Sequence, residues 1–173
     1  MTALAERIAR EYGTPAVAID LDVVERNIAR LQAACDAAGV ANRPHIKTHK
    51  SPVIARLQRD AGARGITCQK VGEAEVMADA GVDDILISYN ILGEEKLGRL
   101  AALMRKARMV VAADNPTTVA GLPRAAEISG RTLEVVVECD APAETRPPSG
   151  VGPSSQRDLL EAPDRPAARR QNE

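Results

Sequence analysis

The chain has 173 residues, with 23 Lys and Arg against 24 Asp and Glu, two His, three Cys, no Trp or Phe, and two aromatic residues, Tyr12 and Tyr89. A net charge of −1, with no dense Lys/Arg stretch beside stacking rings, argues against a nucleic-acid surface. No apolar run reaches the roughly 18 residues needed to span a membrane, whereas 45% apolar residues suffice for the core of one ordinary domain.

Glu6, Arg7, Arg10 and Glu11 interrupt the N-terminal stretch where a signal peptide needs an apolar run, so a cytoplasmic location is expected. From residue 14 to 140, short β-branched runs alternate with longer amphipathic segments, the pattern of a parallel α/β sheet or barrel. The expected strands are residues 16–20 (AVAID), 44–48 (PHIKT), 65–69 (GITCQ), 84–88 (DILIS), 107–112 (ARMVVA) and 133–139 (LEVVVEC). Helices between them carry apolar residues at three- and four-residue spacing, such as Val24, Ile28, Leu31 and Cys35, or Leu97, Leu100, Ala101 and Met104. Gly39, Gly81 and Gly130 mark helix ends. Pro123 predicts that the helix after Asn115 is short, kinked or begins late.

Cys35, Cys68 and Cys139 are odd in number and form no C-x-x-C pair. Neither a disulfide framework nor a zinc site is expected; they read as reduced, mostly buried small residues. Residues 141–173 hold six of the eleven prolines, and their only large aliphatics are Val151, Leu159 and Leu160. Such a stretch buries too little apolar surface to offset its ordering entropy, so a disordered tail is expected.

Both histidines lie in one octapeptide, Arg43-Pro44-His45-Ile46-Lys47-Thr48-His49-Lys50. In an extended strand His45, Lys47 and His49 share a face, and neighbouring cations with partial burial disfavour the protonated form of the Lys47 amine. An amine so placed suits Schiff-base chemistry with an aldehyde. The same residues also suit a solvated strand end or a loose anion site. The two imidazoles suit a metal, although the stretch contains no carboxylate.

Three blocks, TPAVAIDLDVVERNI (14–28), RPHIKTHK (43–50) and GITCQKVGEAEVMADAGVDDILISYNILG (65–93), stand in the order and spacing of the D-threonine aldolase family, which the chain resembles over about residues 14–140. That family belongs to the alanine-racemase-like, fold-type III pyridoxal-phosphate enzymes, with D-serine dehydratases and 3-hydroxy-D-aspartate aldolases. The resemblance implies an α/β fold, the N-terminal portion of a (β/α)8 TIM barrel, here incomplete: a barrel domain over 1–140 and a disordered or frameshifted tail over 141–173. It implies that Lys47 forms the Schiff base with pyridoxal 5′-phosphate and that His45 and Gln69 are cofactor neighbours. Lys70, Ser88, Tyr89 and Asn90 would also stand at strand ends facing the site. On the same analogy residues 16–20 pack with a separate C-terminal β-domain.

The implied reaction cleaves a β-hydroxy-D-amino acid to glycine and an aldehyde: a base removes the β-hydroxyl proton, the Cα–Cβ bond breaks, and the cofactor ring takes up the electrons. A divalent, manganese-like cation assists in the intact family, bound by a His and an Asp of that C-terminal domain; His45 and His49 leave no His for this role. The intact family is implied to be homodimeric, with a small-molecule D-amino acid as substrate. The family element Asp-x-Gly-x-x-Arg-x-Gly-Val is displaced after Asp140, where Arg146 and Gly150-Val151 only echo it. A truncated or frameshifted product is one explanation. Alternatives are a D-serine dehydratase-like or racemase activity, a non-enzymatic pyridoxal-phosphate-binding protein, and an inactive fragment.

Overall fold

The computed structural model describes residues 3–139. In chain order the elements are α1 (Ala3–Tyr12), α2 (Leu21–Ala37), α3 (Pro52–Asp60), β1 (Ile66–Cys68), α4 (Val71–Asp79), β2 (Asp84–Ile87), α5 (Glu94–Lys106), β3 (Arg108–Ala113), α6 (Pro116–Ser129) and β4 (Glu134–Val137). Short polar side chains start several helices. Asp20, Ser51 and Asn115 each accept a backbone N–H three residues ahead, and Pro52 and Pro116 open α3 and α6, where a missing N–H costs nothing.

All four strands are parallel and paired in sequence order, β1-β2-β3-β4, and His45 adds a single parallel bridge to Thr67 on the outer side of β1. Sequential order places successive crossover helices on one side of the sheet, as in a TIM-type barrel wall; accordingly α3, α4, α5 and α6 pack each against the next. Alternate strand residues Ile66, Cys68, Ile85, Ile87, Met109, Val111 and Ala113 join Leu97, Leu100, Leu103, Met104 and Leu122 in the core under these helices. Each large side chain so buried contributes roughly 1.5–3 kcal/mol. The opposite face carries Thr67, Leu86 and Val110 in register, and continues toward the strand C-termini with Gln69, Ser88 and Ala112.

The N-terminal ends of the strands are tied by ions. Arg43 Nη1 donates to Asp84 Oδ1 at 2.7 Å, Arg108 Nη1 to Asp84 Oδ2 at 2.9 Å, and Arg108 also pairs with Glu134. Burial works against the Asp84 carboxylate, but the two guanidiniums outweigh it and hold it below the usual range.

Several expectations are corrected. Residues 16–20 pair with no strand among the described residues, and Val17 is 92% exposed. Residues 44–48 yield only the bridge at His45, because the chain turns from Lys47 to His49. The helix after Asn115 is 14 residues long and runs through Pro123. Pro123 is exposed, so the carbonyl its missing N–H would have met lies toward water. The predicted α2 stripe stays half-buried or exposed, and the one buried residue of that helix is Gln32, held by Asp36 and Asn42. The cysteines are all free, but only Cys68 is buried; Cys35 is half-buried and Cys139 exposed. Arg146, Gly150 and Val151 lie outside the described residues.

Candidate functional site

The C-terminal ends of the strands gather the polar residues. After the bridge to Thr67, the backbone passes through Ile46, buried in the core, and brings Lys47 out to an exposed position. His45 folds over this step: its Nδ1 accepts the Lys47 N–H at 3.2 Å, and its Nε2 meets Ser88 Oγ, just past β2, at 3.3 Å. Because Nδ1 is the acceptor, the proton of the neutral ring sits on Nε2 and points at Ser88. Ser88 Oγ in turn reaches Cys68 O at 3.5 Å.

Burial depresses the His45 imidazole below 6.5, and the positive charge of Lys47 acts in the same direction; the Gln69 side chain and Glu73 oppose them. The ring is therefore neutral at pH 7. The structure thus brings together Lys47, His45 and Gln69, three residues that sequence reasoning singled out. No carboxylate among the described residues lies within ion-pair distance of Lys47 Nζ.

His49 does not join them. The turn sends it toward α3, where its Nδ1 accepts the Ser51 N–H at 3.0 Å and Nε2 is buried beside Gln58 without a partner. Alternation along a strand fails here because no strand persists beyond residue 46. Among the described residues no group of three or more His, Cys, Asp or Glu side chains can hold a metal ion.

Two residues were missed. Glu73, 8% exposed, accepts the Gln69 N–H at 2.8 Å through Oε2 and pairs with Lys50 Nζ at 3.4 Å through Oε1. It thereby ties the turn after Lys47 to the end of β1. It sits in the first turn of α4 and reaches back past the N-cap Lys70 to the Gln69 N–H, and without a Ser or Thr at the N-cap the sequence carries no capping-box signal for it. The second is Gln58, which no motif flags. Asn90 donates to Asp114 at 2.7 Å at the neighbouring strand ends.

Residues 19–167 match the family model "Alanine racemase, N-terminal domain". The chain belongs to this family. Within this alanine racemase N-terminal family, the chain is 42% identical over 127 residues to a D-threonine aldolase of an Arthrobacter species, covering 73% of this chain and 34% of the relative. It is 38% identical over 139 residues to a D-threo-3-hydroxyaspartate dehydratase of Delftia sp. strain HT23, covering 80% and 36%. The crystal structure of D-threonine aldolase from Filomicrobium marinum superposes with a TM-score of 0.71 at 44% identity, covering 73% of this chain and 34% of that one. These matches bear out the resemblance read from the three sequence blocks, and the parallel α/β winding expected from it. The chain spans about a third of the length of the curated relatives it matches.

Proposed function

We propose that the chain carries the cofactor-anchoring part of a pyridoxal 5′-phosphate-dependent lyase that acts on β-hydroxy-D-amino acids, cleaving them to glycine and an aldehyde. The observation that supports it is the placement of Lys47: an exposed amine at the C-terminal end of a parallel sheet, with no carboxylate partner among the described residues, next to an imidazole held neutral. This arrangement fits an aldehyde cofactor, since a carboxylate partner would favour the protonated ammonium, which is not a nucleophile.

Lys47 Nζ is the group that would hold the cofactor covalently. When bound, pyridoxal phosphate supplies an electron sink at the substrate Cα. His45 holds the backbone at Lys47 through Nδ1 and is itself held through Ser88, so the stem of the amine starts from a fixed point at the sheet end. Gln69, at the end of the adjacent strand, supplies an uncharged amide on the same side. The net reaction moves the β-hydroxyl proton to Cα as the Cα–Cβ bond is exchanged for an aldehyde C=O. The described residues do not fit a divalent cation, and no step is assigned to one.

An absorbance titration with pyridoxal 5′-phosphate, followed by borohydride reduction and peptide mapping, tests the reading. Label concentrated on Lys47, absent in Lys47→Ala, is expected. Labelling that is no greater at Lys47 than at other exposed lysines of the folded protein would overturn it. Product analysis with a D-β-hydroxy amino acid then separates cleavage from dehydration, which the similarity to the Delftia dehydratase keeps in view.

A further inference from the structure

The turn that follows Lys47 is held in an unfavourable conformation. Lys50 has φ +49, the only positive φ outside glycine among the described residues, and its N–H closes on Ile46 O at 2.8 Å. A non-glycine residue in this region is strained and persists only where its surroundings hold it. On one side the hold is visible: Lys50 Nζ pairs with Glu73. On the other side stands His49, whose Nδ1 accepts the Ser51 N–H. That bond places the proton of the neutral ring on Nε2, a buried donor with no partner among the described residues. Gln58 Oε1, a buried acceptor, is unpaired as well.

A buried donor and a buried acceptor left single each carry a desolvation penalty, and a small side-chain rotation that joins them removes both. We propose that His49 and Gln58 form a clamp between the turn 47–50 and helix α3, and that this clamp positions Lys47. His49 is in this reading a positioning residue, not a ligand or a proton carrier. Its ring is fixed at both nitrogens, Nδ1 to the start of α3 and Nε2 to Gln58 within that helix. Glu73 holds the opposite side of the turn. Lys47, which precedes the clamped residues, then leaves the sheet from a backbone that cannot relax. The proposal rests on the assignment of Lys47 as the reactive amine.

The experiment is pyridoxal 5′-phosphate labelling of the full chain with borohydride trapping, read as the ratio of label on Lys47 to label on Lys96, an exposed lysine of α5 remote in sequence from the turn. Gln58→Leu removes the acceptor and is expected to lower the ratio about fivefold, as the loss of one hydrogen bond implies. Gln58→Glu retains an acceptor and is expected to keep the ratio within about twofold of the unmodified protein. His49→Asn, which keeps an acceptor for the Ser51 N–H but cannot reach Gln58, is expected to behave like Gln58→Leu and decides the matter if the leucine variant does not fold. An unchanged ratio in a folded Gln58→Leu or His49→Asn protein overturns the clamp, as does an equal loss in Gln58→Glu. Failure of the underlying assignment shows separately, as the absence of preferential Lys47 labelling in the unmodified chain.

Discussion

His45 Nδ1 accepts the backbone N–H of Lys47, two residues ahead, at 3.2 Å, and His49 does the same for Ser51 at 3.0 Å. In each case an unprotonated Nδ1 is required, so both bonds are lost when the rings take up a proton. Burial is the foremost cause that depresses each imidazole below 6.5. The folded protein thus binds these protons less readily than the unfolded chain. Stability is complete above the unfolded value of about 6.5 and declines as the pH falls below it through the folded values. The urea midpoint is expected to drop between about pH 7.5 and pH 5.5, and the drop should shrink in a His45→Gln/His49→Gln protein. A drop of the same size in that protein would assign the effect to other groups.

Cys68 lies fully buried at the end of β1, and burial, with the negative charge of Glu73, pushes its thiol up to about 12. A thiol reagent at about pH 8 is expected to modify exposed Cys139 first and to leave Cys68 untouched until denaturant is added. Mass mapping of the modified peptides checks the order. Rapid modification of Cys68 in the folded chain would mean that the β1 end opens readily.

At Gly65 a Cβ would fall 2.6 Å from Asp84 O and closer still to the Arg43 guanidinium. The backbone oxygen cannot withdraw without breaking the β1–β2 register. Gly65→Ala is expected to cost roughly 1–3 kcal/mol, seen as a lower urea midpoint at an unchanged slope. A neutral substitution would show that the strand start shifts freely.

Asp84 joins Arg43 and Arg108 with its side chain only 14% exposed. Asp84→Ala leaves two guanidiniums without their shared partner and is expected to cost roughly 1–3 kcal/mol. Because the carboxylate is held below its usual range, this contribution is present above about pH 4 and disappears as the pH falls through the folded value. Urea midpoints of both proteins at about pH 7 and pH 3 test this: the difference between them should be smaller at the second than at the first.

Strand β4 was legible from its run EVVV alone, which is exposed along its length, whereas β1 to β3 were legible because β-branched runs such as DILI and RMVV are buried on at least one face and bounded by turns. The α5 stripe was legible for the same reason: Leu97, Leu100, Ala101 and Met104 are all buried. Local pattern says less where a segment's partner is not local. AVAID has the alternation of a strand but finds no neighbour to pair with among the described residues, and the apolar stripe of α2 is only partly covered. At the site, His45, Lys47 and Gln69 were foreseeable from strand ends. The parting of His49 from Lys47 follows from the turn at residues 47–49, which replaces the strand alternation that the octapeptide suggests. Ser88 was foreseen at a strand end, but its bond to His45 was not, since it depends on how two non-adjacent segments are brought together.

Every strand of the sheet pairs with its successor in the chain, as Ile66 with Ile85 and Ile85 with Met109, so each pairing closes a segment of only about two dozen residues. Among the described strands, none waits for a distant one. The wall can therefore grow one strand-helix unit at a time as the polypeptide leaves the ribosome, with the lysine-bearing turn already tied to β1 before β3 is made.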